Sequence, residues 1–178
     1  NYGGWAGCDL RYDVLGSTNV APSGYGSAAS SGRKGNDATS TCATSPVANT
    51  LMAALPSALR AVMKPMTIYT DNTAGGSDTA SYVTKSVDYL PLLAEFEIFG
   101  SRSYANSAEK NYQKQYDYYK AGNSKIKYRH NSTSSTALWW ERSPYYSDST
   151  NFCGVNTNGN ADLSNAGGSY GLAPAFRV

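Results

Sequence analysis

At 178 residues and a formal charge of +2, the chain is long enough for one domain with its own core but carries too little charge for a typical nucleic-acid-binding protein. Lys and Arg are scattered along it and no apolar run is long enough to cross a bilayer, so we expect neither nucleic-acid binding nor direct membrane insertion. The many Gly and Tyr residues, 17 and 15, beside only 16% charged residues, favour a loop-rich fold that presents aromatic groups for contact.

The chain begins at Asn1 without a signal peptide or an initiator Met, and we expect residues 1–178 to be one domain at the C-terminal end of a longer protein. Its cysteines, Cys8, Cys42 and Cys153, are odd in number and lack CxxC spacing. We interpret them as small buried hydrophobic residues. The alternative is a single disulfide.

Loops and short helices are expected in the first third. Residues 1–15 predict a turn followed by a short helix or strand, and residues 16–43, rich in Gly, Ser and Asn, predict a long surface loop. Ser45 and Pro46 predict the start of a helix with apolar residues at four-residue spacing. A second short helix, bounded by two prolines, is expected over 56–65.

In the middle of the chain, residues 66–70 predict a strand and residues 71–79 a flexible turn. The most apolar block, at 89–100, is expected in the core. Asp71, Asn72 and Asp78 are oxygen donors of the kind that Ca²⁺ binds, but their spacing fits no EF-hand loop, so we interpret them as a solvated turn.

Residues 106–120 predict one helix, because Asn106 and Glu109 have capping-box spacing, tyrosines line one face, and Gly122 follows the end. Short strands are expected at 126–129, 138–140, 152–156 and 175–178. The sequence as a whole therefore predicts an α+β fold with much irregular chain.

Candidate catalytic residues are few. The single histidine, His130, lies in a polar stretch, and we interpret it as an exposed loop residue rather than part of a triad or metal site. Glu95 and Glu97 would share one face of a strand and could do acid–base work. We interpret them instead as a structural pair that bonds backbone or Arg groups.

The C-terminal tail has a biased composition. Lys, Glu, Gln, Met and Trp occur twenty times before Ser143 and never from Ser143 to Val178. At the upstream frequency about five would be expected, so chance absence is on the order of one in a few hundred. Randomising the adenines of adenine-adenine-pyrimidine codons yields none of these five residues, whereas selection for an exposed loop would keep Lys, Glu and Gln. The alternative is a small-residue loop region that lacks them by chance.

Spaced motifs in the same region carry a resemblance. They are Trp139-Trp140-Glu141-Arg142-Ser143-Pro144, Phe152-Cys153-Gly154-Val155 and Gly171-Leu172-Ala173-Pro174-Ala175-Phe176. With Gly3-Gly4-Trp5 and the block at 92–100, they resemble the variable proteins of diversity-generating retroelements, from bacteria and phages, over most of the chain. The resemblance implies a C-type-lectin-like fold of the formylglycine-generating-enzyme-like branch, with a small twisted antiparallel sheet, two or three helices and long loops.

The resemblance implies a fixed framework and a variable, ligand-binding surface. The framework residues would be Trp139, Trp140, Arg142, Phe152, Val155, Pro174 and Phe176, and both tryptophans would line the core beneath the variable surface. In an extended run over 152–157, Gly154 and Asn156 would face away from the core. The expected ligand-binding positions are Tyr146, Asp148, Asn151, Gly154, Asn156, Asn158, Asp162, Leu163, Ser164, Asn165, Gly167, Gly168 and Tyr170.

The implied function is non-enzymatic binding of a cell-surface protein or glycan, by a phage tail protein or a bacterial surface protein, without cofactor or metal. The motifs of calcium-dependent sugar-binding lectins are absent, and Cys153 lacks the partner cysteine that formylglycine generation needs. The alternatives are a carbohydrate-binding module, which Tyr146 would serve, and a cell-wall-acting enzyme, for which Glu95 is the candidate carboxylate. The sequence leaves the oligomeric state open.

Overall fold

The computed structural model describes residues 4–18, 41–73 and 75–178. Most of the loop expected at 16–43 therefore lies outside the described residues. Within these ranges there are four short α-helices: α1 (Leu51–Ala54), α2 (Ser57–Val62), α3 (Glu95–Phe99) and α4 (Asp117–Lys120). A π-helical turn (Leu10–Val14) and two 3-10 turns (Ala80–Tyr82 and Ser107–Asn111) accompany them. The strands are β1 (Met66–Asp71), β2 (Val83–Asp88), β3 (Lys127–Arg129), β4 (Ser132–Ala137), β5 (Trp139–Pro144), β6 (Asn151–Val155) and β7 (Ala161–Asn165).

The fold is α+β with small antiparallel sheets. Strands β1 and β2 form one hairpin, β3 and β4 a second, and β5, β6 and β7 a three-stranded sheet in that order. The segment after β7 returns to this sheet, because Gly171 bridges Trp139 in parallel on the edge of β5 that β6 does not occupy. Residues 175–178, expected as a strand, form only an isolated bridge between Arg177 and Lys64.

The core covers both faces of β5. Trp140 packs with Trp5, Leu92 and Phe152 in one cluster, whereas Trp139 packs with Ile98 and Val155 in another. The expectation that both tryptophans wall the core is confirmed, as is the burial of Arg142. Two other predicted framework residues are less buried than expected: Pro174 is half-buried, and the Phe176 side chain is 47% exposed.

Helix α1 begins later than expected. Thr50, rather than Ser45, is its N-cap and accepts a hydrogen bond from the backbone N–H of Ala53 (3.3 Å). Ser45 instead ends a turn, with its N–H bonded to the carbonyl of Thr41 (2.7 Å). The prediction of a second helix between the prolines is confirmed by α2.

The prediction of a single helix over 106–120 is wrong. Asn106 does cap the 3-10 turn, accepting from the N–H of Ala108. Glu109, however, points into the protein and accepts from the N–H of Asp71 (2.9 Å) rather than from Asn106. A long-range bond thus replaces the local capping box, and helix resumes only at α4 before Gly122 (φ +83°). Of the aligned tyrosines, Tyr119 alone is buried.

Two segments expected at the surface are inside. Asp71 and Asn72 are each 1% exposed, and Asn72 Oδ1 accepts from the N–H of Ala6, so the solvated turn is wrong for these residues. The described end of the loop expected at 16–43 is also buried, because Ser17 donates its hydroxyl to Asp88 Oδ1 (2.8 Å). In both places buried partners satisfy side chains that water would otherwise solvate.

All three cysteines are thiols rather than disulfide partners, with Cys42 and Cys153 buried and Cys8 half-buried. Burial raises the pKa of the Cys8 thiol to about 12. The interpretation as small buried residues is therefore confirmed for two of the three, and no disulfide joins them.

Candidate ligand-binding surface

The β6–β7 hairpin forms an edge of the three-stranded sheet, and most predicted variable positions lie on it or beside it. Its turn is built by Asn156, whose Oδ1 accepts from the N–H groups of Asn158 (2.9 Å) and Asn160 (3.1 Å). Gly159 has a φ of +83°, a left-handed conformation that side chains other than glycine rarely adopt. Local backbone bonds therefore shape the turn, and the exposed side chain of Asn158 points outward from it.

At the other end of the hairpin, two loops meet. The N–H of Ala166 bonds the carbonyl of Thr150 (3.0 Å), and Asn165 Oδ1 accepts from the N–H of Gly167 (3.0 Å). Asp148 accepts from both the hydroxyl and the N–H of Thr150, which lowers the pKa of its exposed carboxyl. The side chains of Asp148 and Asn165 thus accept hydrogen bonds from groups of their own loops.

An aromatic group adjoins these loops. Tyr146 lies edge-on to Tyr145 (5.3 Å between centroids) and under the guanidinium of Arg102 (4.1 Å). Tyr145 in turn meets Tyr104 edge-on (5.9 Å). Arg102 and Tyr104 come from the segment after α3, so sequence reasoning missed them; no local pattern connects that segment with Tyr146.

One sheet face carries three of the predicted positions. Strand pairing places Asp162 opposite Gly154 and Ser164 opposite Phe152. Tyr170 packs edge-on against Trp140 (5.1 Å), which pairs with Gly154 on the same sheet. Asp162 and Ser164 are half-buried and share this face with the core residues Phe152 and Trp140, whereas Tyr170 is exposed.

Two predicted variable positions are placed unfavourably for contact. Leu163 lies opposite Cys153 on the other face and packs with Phe96 in the core. Gly154 is buried, and a Cβ there would lie 3.0 Å from the carbonyl oxygen of Trp139. The expectation that Gly154 faces away from the core is wrong, because packing covers both faces of β6.

The remaining positions fall into groups along the hairpin rather than one compact cluster. The turn holds Asn156 and Asn158, the sheet face holds Asp162, Ser164 and Tyr170, and the loop end holds Tyr146, Asp148, Asn151, Asn165, Gly167 and Gly168. A five-residue strand spans about 14 Å, so the turn and the loop end are separated by roughly that distance. These positions therefore form an elongated surface along the hairpin.

Beneath this surface lies a buried ion pair. Arg142 binds both carboxylate oxygens of Glu97 (2.6 Å each) and donates further to Thr70 Oγ1 (2.9 Å) and to the carbonyl of Leu92 (2.7 Å). With each of its three nitrogens hydrogen-bonded, the guanidinium holds strands β1 and β5 and helix α3 in a fixed relative orientation. The interpretation of Glu97 as a structural carboxylate is confirmed.

Glu95 is likewise structural. Its carboxylate accepts from the N–H groups of Tyr104 (2.9 Å) and Ala105 (2.8 Å), and its side chain is fully buried. Both glutamates lie on helix α3, not on a strand as expected, which sends them to different partners. A carboxylate without solvent access and with its oxygens bonded is poorly placed for acid–base chemistry on a polymer.

Two more buried carboxyls lie in the same region. Burial raises the pKa of Glu109 to about 7, although bonds from Ser143, Asp71 and Gln113 oppose the rise. Burial also raises the pKa of Glu141 well above its usual value, and Glu95 and Glu109 add to the rise. Neither oxygen of Glu141 has a hydrogen-bond partner among the described residues.

Within the described ranges, no group of three His, Cys, Asp or Glu side chains could hold a metal ion. His130 is exposed in the turn between β3 and β4, as expected. None of the helices in the described part of the chain has the length and apolar character needed to span a membrane.

Comparison with known protein families gives a match over most of the chain. The model of a family described as a domain of unknown function, DUF6273, matches residues 30–178, which is most of the chain. No curated protein and no solved structure matches the chain.

Proposed function

The chain belongs to the DUF6273 family, and we propose that it is a non-enzymatic ligand-binding domain whose hypervariable surface is diversified by mutagenic reverse transcription. We further propose that its α+β architecture is a C-type-lectin-like fold of the formylglycine-generating-enzyme-like branch. The partner would be a cell-surface protein or glycan, bound by a phage tail protein or a bacterial surface protein.

The observation that carries the proposal is the restricted alphabet of the tail. Lys, Glu, Gln, Met and Trp are absent from Ser143 to Val178, and this segment supplies β6, β7 and the loops at both ends of the hairpin. A purely structural explanation would have to remove long polar side chains from exposed loops, where they are ordinarily common. Adenine-directed mutagenesis removes them without any structural requirement.

The distribution of burial supports the same reading. Framework residues Trp139, Trp140, Arg142, Phe152 and Val155 are all buried. Asn158, Asn165, Gly167 and Tyr170, in contrast, are exposed. Substitutions at exposed positions without special contacts usually change stability by less than about 0.5 kcal/mol. The surface can therefore vary while the sheet beneath it stays folded.

The first test is genomic. We expect a reverse-transcriptase gene near this locus, with a near-copy of the segment's DNA that differs from it chiefly at template adenines. An intact neighbourhood that lacks both would reject diversification at this locus and leave the fold proposal to be tested separately.

The second test is a displayed library with Asn158, Asp162, Ser164, Asn165 and Tyr170 randomised. Selection on unrelated surface proteins and glycans should yield clones of different specificity whose midpoints of thermal unfolding stay within about 5 °C of the parent. A matched library at Trp140, Arg142 and Phe152 should yield mostly unfolded protein. If the surface library unfolds as often as the framework library, the proposal is wrong.

A further inference from the structure

We propose a second, invariant binding site for acidic sugars in a basic pocket between helix α3 and the segment 110–120, away from the hypervariable surface. The pocket has a volume of about 370 Å³ and is lined by Phe96, Gly100, Lys110, Gln113, Lys114, Gln115 and Lys120. Pockets that bind small ligands run from roughly 300 to 1,000 Å³, so this one has room for a small ligand.

The charge of the pocket selects for an anion. Lys110, Lys114 and Lys120 are exposed lysines that line this one pocket. In the part of the chain that the structure describes, none of the three pairs with a carboxylate. Like charges held together repel one another in the free protein, and a bound carboxylate or sulfate relieves that repulsion.

The charge extends beyond the pocket. Residues 110–129 contain six Lys and Arg against one acidic residue, Asp117. Lys125 Nζ lies 5.5 Å from the ring centroid of Phe99, the neighbour of Gly100, and Lys127 Nζ lies 5.6 Å from that of Trp139. A chain of linked acidic units would therefore meet further cations outside the pocket.

The amides favour a hydroxylated ligand over a bare anion. Gln115 donates Nε2 to the carbonyl of Ile98 (3.0 Å), and this bond places its Oε1 so close to Gly100 that a Cβ there would lie 2.7 Å away. Gln113 donates Nε2 to the carbonyl of Tyr69 (2.9 Å) and to Glu109 (2.7 Å). These hydrogen bonds fix the orientation of both amide groups, and with it the position of each acceptor oxygen.

One of these acceptors is unsatisfied. Gln113 Oε1 is buried and has no donor among the described residues. Because that oxygen is closed to solvent, a ligand hydroxyl in the pocket would bond the half-buried Gln115 amide, which lines the same pocket, rather than Gln113. Oriented amides, an apolar Phe96 and three ammonium groups together match a sugar ring that bears a carboxylate.

The pocket and the hypervariable surface are separate. None of its lining residues belongs to the segment 143–178, and all of them lie where Lys and Gln are still present in the sequence. The pocket would thus bind the same class of acidic glycan in every diversified variant, and its test does not depend on the proposed function.

The test is a titration followed by amide NMR, with trigalacturonate as the carboxylated sugar, maltotriose as the neutral sugar, citrate as the anion without a ring, and oligothymidylate as the nucleic acid. We expect trigalacturonate to bind most tightly, to shift the amides of 96–100 and 110–120, and to leave those of 151–168 unshifted. Affinity should fall as salt rises from 50 to 300 mM, because exposed charges are screened.

The variant Lys110→Gln/Lys114→Gln/Lys120→Gln should bind trigalacturonate about tenfold or more weakly. The control Lys64→Gln/Lys85→Gln/Arg177→Gln removes the same charge elsewhere and should change affinity by less than about threefold. Unchanged midpoints of thermal unfolding would show that both variants fold. Equal losses in the two variants, citrate or maltotriose binding as tightly as trigalacturonate, tighter binding of oligothymidylate, or no binding at all would each overturn the inference.

Discussion

At the scale of single residues, Arg142 does the most to join the parts of the molecule. Its guanidinium contacts β1 through Thr70, helix α3 through Glu97, and the segment before that helix through Leu92. Arg142 and its partner Glu97 are both buried, at 2% and 9% exposure, so neither charge can turn to water if the other is removed.

We therefore expect Arg142→Ala to lower the free energy of unfolding by about 3–5 kcal/mol, because it strands the Glu97 carboxylate in the protein interior. Urea unfolding followed by tryptophan fluorescence measures the loss. Arg102→Ala is the control, since its bridge to Asp78 is about one-third exposed and should contribute about 1 kcal/mol or less. A loss of similar size in both variants would contradict the role given to Arg142.

At the scale of elements, the β6–β7 hairpin separates positions that can change from positions that cannot. Its register is continuous from Asn151 opposite Asn165 to Val155 opposite Ala161. Along β7, Leu163 points to the core, whereas Asp162 and Ser164 lie on the other face. The alternation of β-strand side chains thus limits which positions of each strand the proposed diversification could use.

We expect Asn158→Ser to change the free energy of unfolding by less than about 0.5 kcal/mol, and Asn165→Ser, which alters the bond from the Gly167 N–H, to cost about 0.5–1.5 kcal/mol. Gly154→Ala should cost about 1–3 kcal/mol, because the new methyl group would press on the Trp139 carbonyl and the Leu138 side chain. Differential scanning calorimetry of the three variants compares them directly. If Gly154→Ala left the free energy of unfolding unchanged, the sheet would have to accommodate the methyl group. Position 154 would then again count among the proposed variable positions.

The sequence predicts these features unevenly, and the reason is the range of the interactions. Trp139, Trp140 and the apolar residues of α3 are predictable because hydrophobicity alone decides their burial. The role of Glu109 is not, because its spacing from Asn106 suits a local cap while its actual donor, the Asp71 N–H, is 38 positions away in sequence. Strand β7 (Ala-Asp-Leu-Ser-Asn) was missed since a polar edge strand has little apolar pattern.

Parts of the candidate site were hidden for the same reason. Arg102 and Tyr104 reach Tyr146 only through the tertiary fold. The lysines at 110, 114 and 120 look scattered along the chain, and only the structure shows that they line one pocket. The restricted alphabet of the tail, by contrast, is a property of the sequence alone and needs no structure to be seen.

At the scale of the whole molecule, the buried carboxyls make stability depend on pH. The pKa of Glu109 is raised to about 7 and that of Glu141 well above its usual value, so the folded state holds protons that the unfolded state has already released. Their contribution is fully present below about pH 4.5, the ordinary pKa of a glutamate, and is lost as the pH rises through the raised values. Between pH 5 and pH 8 these two groups therefore lower stability.

We expect the free energy of unfolding to be smaller at pH 8 than at pH 5.5, as measured by urea titration at both values. Glu141→Gln removes a carboxyl without hydrogen-bond partners, and should raise stability at pH 8 by about 1–3 kcal/mol and reduce the difference between the two pH values. Asp78→Asn, at an exposed carboxyl, is the control. A wild-type protein more stable at pH 8, or a Glu141→Gln variant with an unchanged pH difference, would contradict this account.

Trp140 has neighbours on both of its backbone edges: Gly154 pairs with it on one side, and its N–H bonds the carbonyl of Gly171 on the other (2.9 Å). The segment between these two glycines is therefore a loop whose two ends are both held at Trp140. The entropic cost of closing such a loop rises by only about 0.6 kcal/mol each time the loop doubles in length. Insertions and deletions at the hairpin turn should accordingly be tolerated, so that this part of the chain can differ in length while the sheet stays folded.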